Sequence, residues 1–493
     1  MNNYAARWAG PLLLSVRGGT LALIASVILL WPMTLVTAPL AYFDTAAYER
    51  AGKVALNLLL PVPPPGDGGA GTEDGGEDAR GSIRSAAWSV FVAALGGLPW
   101  GAVAACALQT AMTLFVFGAL VPTGAVVRGR HALLGATTVG AASGLPWYAS
   151  YAMPDILGAL VVTYYAALTV APRRAPLICG ILATFAILSH YGHLPLAGAL
   201  AAFVLIWRVR RLSVALVVAA LAPLLVALAV NAATGLALGR IAPPPAAQAG
   251  EASDLALPSI APQRLPILLA RSIEDGLALP YLTEACAANT YRSCAFLVDM
   301  PDSVGAFLWS SAGIKRLDAA EMAVLRSDEI RIVTSAALAR PLLQAEAILR
   351  HTGQQLLRTG IDEILPLPPV GADGGSSPIL SADAAAFPVI AWADRWVPLV
   401  TLLAALGLAL RLGGGWLHPA LVGPAFIILA GLLVNAAIFG GLSYPVDRYQ
   451  GRLAWLVPAL LALDLALAPK TRAAGRRGQA GFAGGRAKRA GIV

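Results

Sequence analysis

Residues 20–43 form a run of 24 without a single charge, and that run limits what the chain can become. A helix that crosses a bilayer needs about 20 mostly apolar residues, whereas the apolar core of a secretory signal has only about 7–15. The run, preceded by Arg7 and Arg17, therefore reads as an uncleaved first membrane helix. Further uncharged runs lie at 86–121, 132–153, 156–172, 175–207, 212–239, 396–410, 412–446 and 453–463. Composition agrees with this pattern. The 493 residues are 58% hydrophobic and 13% charged, about half the charge of a soluble chain. A water-soluble multidomain enzyme is excluded.

Two of the runs need dividing. Residues 85–121 are too long for one span and are interrupted by Gly96-Gly97-Leu98-Pro99, which suggests an interfacial helix over 85–95 and then one crossing. The 175–207 run carries His190-Tyr191-Gly192-His193 at its middle, and is either one long helix or a hairpin of two short ones. Arg173/Arg174 and the Arg208, Arg210, Arg211 cluster should share a side, which requires the hairpin. The reading that results is an all-α polytopic membrane protein with about ten transmembrane helices and both termini in the cytoplasm. Ten arginines then fall in cytoplasmic segments, namely Arg7, Arg17, Arg128, Arg130, Arg173, Arg174, Arg208, Arg210, Arg211 and Arg411. The last 25 residues, 469–493, add seven bases and no acid, so +7 of the net charge of +8 lies in one tail. Of the 27 acids, 26 fall at or outside the other face, Asp464 being the exception. A basic tail beside anionic inner-leaflet lipid explains the charge without nucleic acid.

Four regions follow. Residues 1–239 hold seven helices and a first outer loop at 44–85, whose Pro/Gly/acid-rich middle, 61–81, lacks the apolar content to fold. Residues 240–392 make an outer, periplasmic segment with helical patterns at 318–326 and 341–358. Residues 393–468 supply three more helices, and 469–493 form the disordered cytoplasmic tail. Cys106 and Cys179 lie inside apolar runs as packing residues. Cys286 and Cys294 lie eight apart in the outer segment, where an oxidising compartment favours a disulfide over two free thiols.

Polar groups at the membrane boundary are costly and so mark candidate sites. Those on the outer face are Asp44 and Tyr48 in Tyr42-Phe43-Asp44-Thr45-Ala46-Ala47-Tyr48, Asp155 after Met153-Pro154, His190 with His193, and Asp447-Arg448-Tyr449 with Arg452. Each also has a structural reading. Asp44 and Asp155 stand where an acid caps or favours a helix start, the histidines can be turn residues, and Arg448 can pair with Asp447. Tyr449, Trp396 and Trp455 suit an interfacial aromatic belt.

One helix, then an outer loop opening on an acid in a D-x-x-x-Y setting, then an interfacial helix and six more, resembles the GT-C superfamily. These are membrane glycosyltransferases that use polyprenyl-phosphate-linked sugars, such as aminoarabinose transferases and protein O-mannosyltransferases. The stretch SHYGHLPLAGAL at 189–200 is similar to a segment common in bacterial members. The resemblance implies a catalytic acid at Asp44 and a second acid at Asp155. It also implies an Arg-Tyr pair on the lipid phosphate at Arg448-Tyr449, with Tyr48, His190 and His193 lining the substrate site. The expected activity is transfer of a sugar from a polyprenyl-phosphate donor to an envelope glycan, lipid or protein, at the outer face of the bacterial inner membrane. Asp44 would take the acceptor proton and Arg448 or a divalent ion would balance the phosphate. No cofactor is specified. Three rivals stand beside it: an O-antigen ligase or polymerase type leaning on outer arginines and a histidine, a lipid or glycan flippase, and a non-catalytic assembly protein.

Overall fold

Leu157–Val170 is the helix around which the others are arranged. Its sequence, LGALVVTYYAALTV, has no charge on any side, and Leu157 through Thr169 are all buried. The two tyrosine hydroxyls would be costly there, but Tyr164 donates to the Ala219 carbonyl at 2.6 Å and Tyr165 to that of Ala220 at 3.1 Å. In the computed structural model, Trp100–Gly118, Leu177–Leu188, His193–Trp207 and Val422–Ala436 pack round this helix. The structure describes residues 3–36, 39–42, 44–59, 85–97, 100–122, 125–170, 177–241, 265–288, 290–297, 299–366 and 388–467. The expected disorder at 61–81 and in the basic tail lies outside them.

The protein is all-α and multi-pass. Among the described residues, five helical stretches are long and apolar enough to cross a membrane: Val16–Leu35, Trp100–Gly118, Val214–Thr234, Pro388–Gly413 and Pro419–Gly441. Large apolar side chains such as Leu21, Leu177, Val214 and Leu402 are exposed, as lipid contact requires. Other expected spans are shorter. Residues 175–207 divide into Leu177–Leu188 and His193–Trp207, with the break at the histidines.

Two uncharged runs fold differently from a simple span. The first helical region stops at Val36, and Leu40 and Ala41 are wholly buried. The 132–153 run is not one helix: its first helix, Gly129–Ala142, ends well before the end of the run. Ser143 accepts from the Leu145 N–H and Pro146 cannot continue the hydrogen-bond ladder, so the chain breaks into the short helix Leu145–Ala149 and a buried turn. Hydrophobicity alone cannot distinguish such buried, irregular backbone from a lipid-facing helix.

The outer segment has its own apolar core, built from Leu269, Ile273, Leu282, Phe307, Leu325 and Ile332 among others. Its capping box at Asp318 and Glu321 opens Ala319–Ala339, and Pro341 starts the next helix after a bend of 106°. Pro341–Leu357 docks on the membrane helices at Gly440, where a Cβ would come within 2.5 Å of the His351 carbonyl. Gln355 fixes the contact, donating to the Val446 carbonyl at 2.8 Å and accepting from its N–H at 3.0 Å. Beyond this helix the chain runs over the site as β2 (Leu365–Pro366), antiparallel to β1 (Leu40–Ala41). The other edge of β1 meets Tyr151, with Leu40 donating to the Ser150 carbonyl and Ala152 donating to that of Leu40. Three distant parts of the chain are thus tied together at one end of the bundle.

Candidate functional site

The helix Asp447–Ala454 turns Arg448 and Arg452 to the same side, four residues apart, and both are buried. Arg452 ion-pairs with Asp155 at 3.3 Å, on the turn just before the central helix, and both side chains are essentially inaccessible. It also donates to the Asn435 Oδ1 at 3.2 Å, while the Asn435 amide donates to Gln450 and to the Tyr449 carbonyl. Arg448 lies 3.9 Å above the Tyr42 ring and 4.9 Å from that of Tyr449, whose hydroxyl it meets at 3.2 Å. Phe439 stacks on Tyr449 at 4.3 Å and underlies Arg452 at 4.5 Å. Aromatic faces compensate a guanidinium only in part.

Several polar atoms here lack a hydrogen-bond partner among the described residues. They are Arg448 Nε and Nη1, Arg452 Nε, Asp155 Oδ2, His193 Nε2 and, on the turn before β2, Glu363 Oε2. Buried polar atoms are normally paired, so a cluster of this kind is a place where something else binds. The His193 Nδ1 bonds to the Ala186 carbonyl at 2.7 Å, and a carbonyl can only accept. Nδ1 therefore carries the proton and Nε2 is left as an acceptor. Gly158 makes room: a Cβ there would lie 3.0 Å from His193 Nε2 and 3.6 Å from Arg452 Nε.

The expected residues fall into three groups. Asp155 joins this cluster through Arg452, Arg448 through Tyr449, and His193 through its Nε2 beside Gly158 and Arg452, and the His190 ring sits 5.0 Å from that of His193. Asp44 borders it, its charge acting on the Tyr42 hydroxyl, which burial raises above its ordinary pKa. Its backbone carbonyl accepts from Ala47 and Tyr48 at the start of Thr45–Leu59. Tyr48 packs into the main apolar core. Cys286 and Cys294 are joined as a disulfide in the outer segment, among residues of its separate core.

Some of the structural alternatives are revised. The Asp155 carboxylate engages Arg452 instead of serving only a helix start. Asp447 is occupied by the Gly360 N–H at 2.9 Å and by Arg358 at 3.3 Å. Arg448 is therefore not its partner. Trp455 is fully buried beside Phe117 and so does not belong to an interfacial belt. Tyr449 is half-buried within the cluster, while Trp396 is exposed and stacked on Trp392.

Sequence reasoning passed over Tyr42, Asn435, Phe439 and Glu363. Tyr42 stands next to the motif around Asp44 but carries no charge to draw notice. Glu363 follows Asp362 just before an apolar, proline-rich stretch, and only the pairing of β1 with β2 brings it here. Burial raises its carboxyl to about 7, against the lowering pull of Arg448 and with repulsion from Asp362, Asp447 and Asp155 adding to the rise. Among the described residues, no group of three or more His, Cys, Asp or Glu side chains is gathered closely enough to hold a metal ion. Comparison with known protein families, with curated proteins and with solved structures gives no match for this chain.

Proposed function

We propose that this protein is a membrane glycosyltransferase of the bacterial inner membrane, moving a sugar from a polyprenyl-phosphate donor to an envelope acceptor at the periplasmic face. The observation that carries this reading is the pairing deficit at Arg448 and Arg452. Of two buried guanidinium groups only Arg452 contacts a carboxylate among the described residues, that of Asp155. Arg448 Nε and Nη1 and Arg452 Nε are buried without a close hydrogen bond among the described residues, the Tyr151 hydroxyl being the polar group beside Arg448. A phosphate group supplies the missing charge and accepts several charge-assisted hydrogen bonds at once. The lipid tail of such a donor would lie among the apolar helices. In this reading the chain has about ten membrane helices, some of them short, with both termini in the cytoplasm. The fold is GT-C-like.

Transfer breaks the bond between the sugar C1 and the phosphate oxygen and forms one to the acceptor oxygen or nitrogen. The electron pair leaves on the lipid phosphate, where Arg448 and Arg452 hold the growing charge. The acceptor proton goes to Asp44 at the border of the cluster. Asp155 holds Arg452 in place, and His193 Nε2 accepts a hydrogen bond from a sugar hydroxyl.

Arg448, Arg452 and His193 also favour a second reading, an O-antigen ligase or polymerase type of enzyme, which would depend less on Asp44. Glycolipid profiling of a deletion strain, complemented with wild type, Asp44→Asn or Arg448→Gln, tests both. The expected result is accumulation of one polyprenyl-phosphate-linked sugar and loss of one envelope glycan, restored by wild type alone. Restoration by Asp44→Asn but not by Arg448→Gln selects the ligase type. Unchanged lipid-linked sugars and glycans in the deletion strain overturn the transferase reading.

A further inference from the structure

Glu363 reaches the cluster from a different part of the molecule than any other charged group in it. It belongs to the outer segment, three residues after Gly360, whose carbonyl accepts from the Tyr148 hydroxyl at 3.0 Å. The same stretch is held by the Gly360 N–H on Asp447 and the Ile361 N–H on Asp394. Two residues beyond Glu363, Leu365 pairs with Ala41 in β1, next to Tyr42. The stretch is therefore fixed by backbone bonds on both sides of Glu363, while Glu363 Oε2 itself is buried without a partner among the described residues. The ionisable groups whose fields act on it come from every neighbouring element. They are Tyr42 beside β1, Tyr148 from the short helix Leu145–Ala149, Asp155 from the buried turn after it, Asp447 and Arg448 from the last-but-one helix, and Asp362 on its own turn. Arg448 is the one cation among these six.

We infer that Glu363 is the resident counter-charge of Arg448, and that it takes up a proton when a phosphate group enters between the two arginines. The inference rests on the phosphate reading of the cluster given above. Arg448 is the cation that favours the charged form of this carboxylate, and a phosphate that occupies Arg448 screens that attraction and adds a like charge nearby. In surroundings with little water, two anions beside one cation are costly, and a proton on Glu363 removes one of them. Its carboxyl, poised at about 7, needs only a modest push to change state near neutral pH. Binding of the donor and uptake of a proton are then one coupled event. The coupling also tells the outer segment whether the membrane site is filled.

The sign follows from the linkage. Above about pH 7 the free protein holds Glu363 ionised, and the incoming phosphate must carry a proton in with it. Affinity therefore falls as pH rises, by up to tenfold per unit for one linked proton, and is level below about pH 6.

The test uses the purified full-length protein in lipid nanodiscs and farnesyl methyl phosphate, a prenyl phosphodiester whose single charge does not titrate between pH 5 and 9. Calorimetric titration at pH 7.5 in two buffers of different ionisation enthalpy counts the protons taken up. The expected result is uptake approaching one proton per ligand in wild type, with affinity falling about tenfold from pH 6.5 to 8.5. In Glu363→Gln the uptake should vanish and affinity should be flat, because the linked carboxyl is gone while the neighbouring, more exposed Asp362 is unchanged. Saturable binding to wild type without proton uptake overturns this inference and leaves the phosphate site standing. So does equal uptake in wild type and Glu363→Gln. No saturable binding to wild type, or undiminished binding to Arg448→Gln, overturns the phosphate site and this inference with it. The two-buffer count on wild type remains decisive even where the variant does not fold.

Discussion

Two buried Arg–Asp pairs stand near opposite ends of the helix bundle, and they are built differently. At the end that gathers the basic loops, Asp464 is satisfied on both oxygens. Arg411 Nε holds one, the His418 N–H holds the other at 2.7 Å, and Arg411 keeps part of its guanidinium exposed. Nearby, the Arg128 N–H donates to the Ala466 carbonyl at 2.9 Å. This end is a brace between Pro388–Gly413 and Leu456–Ala466. At the other end the Arg452–Asp155 pair is sealed from solvent, yet each partner keeps a polar atom without a bond among the described residues, and a second buried arginine lies beside it. Identical residue types thus make a strut at one end and an unfinished site at the other. Hydrogen bonds left unmade in a buried place cost stability, so their retention points to function.

The comparison can be broken most sharply by changing the acid proposed to take the acceptor proton. Asp44→Asn should leave the protein folded and inserted while transfer falls by about 10²–10⁴, the usual worth of a general base. Measured on isolated membranes, wild-type turnover in that variant would remove Asp44 from the chemistry. Arg448→Gln should weaken farnesyl methyl phosphate on the order of 100-fold, as loss of charge-assisted hydrogen bonds predicts, and calorimetry reads it directly. Asp155→Asn should cost about 3–5 kcal/mol of stability, because it leaves Arg452 buried without its partner. Asp464→Asn should cost less, about 1–2 kcal/mol, since Arg411 reaches water and the amide oxygen still accepts from His418. Thermal unfolding in one detergent compares the last two. Equal losses would mean that the two pairs are the same kind of element after all.

Much of this architecture is legible in the residues themselves. The break at His190–His193 follows from charges on either side of an uncharged run, and the helix at Pro341–Leu357 from a proline followed by leucines at helical spacing. Arg448 and Arg452 advertise a shared face through their spacing of four. The buried stretches 39–42 and 143–154 are harder, because both are uncharged and largely apolar. Neither hydropathy nor periodicity separates backbone buried inside a protein from backbone facing lipid. Glu363 is harder still, since two adjacent acids in a loop, Asp362 and Glu363, have no periodic pattern.

Apolar runs of sufficient length determine from the sequence alone that this is a multi-pass helical protein, and the near-absence of acids from the connections at 122–131, 171–174 and 208–211 marks those connections as basic. Those properties follow from what a bilayer excludes, and each is decided within a single segment. Which acid meets which arginine is decided only in the tertiary structure. Asp155 and Arg452 are 297 residues apart, and Glu363 reaches the site by strand pairing with a segment more than 300 residues earlier. Their partnership depends on helix packing and on three backbone stretches meeting at β1. Such contacts are properties of the assembled bundle, and no local stretch of sequence encodes them.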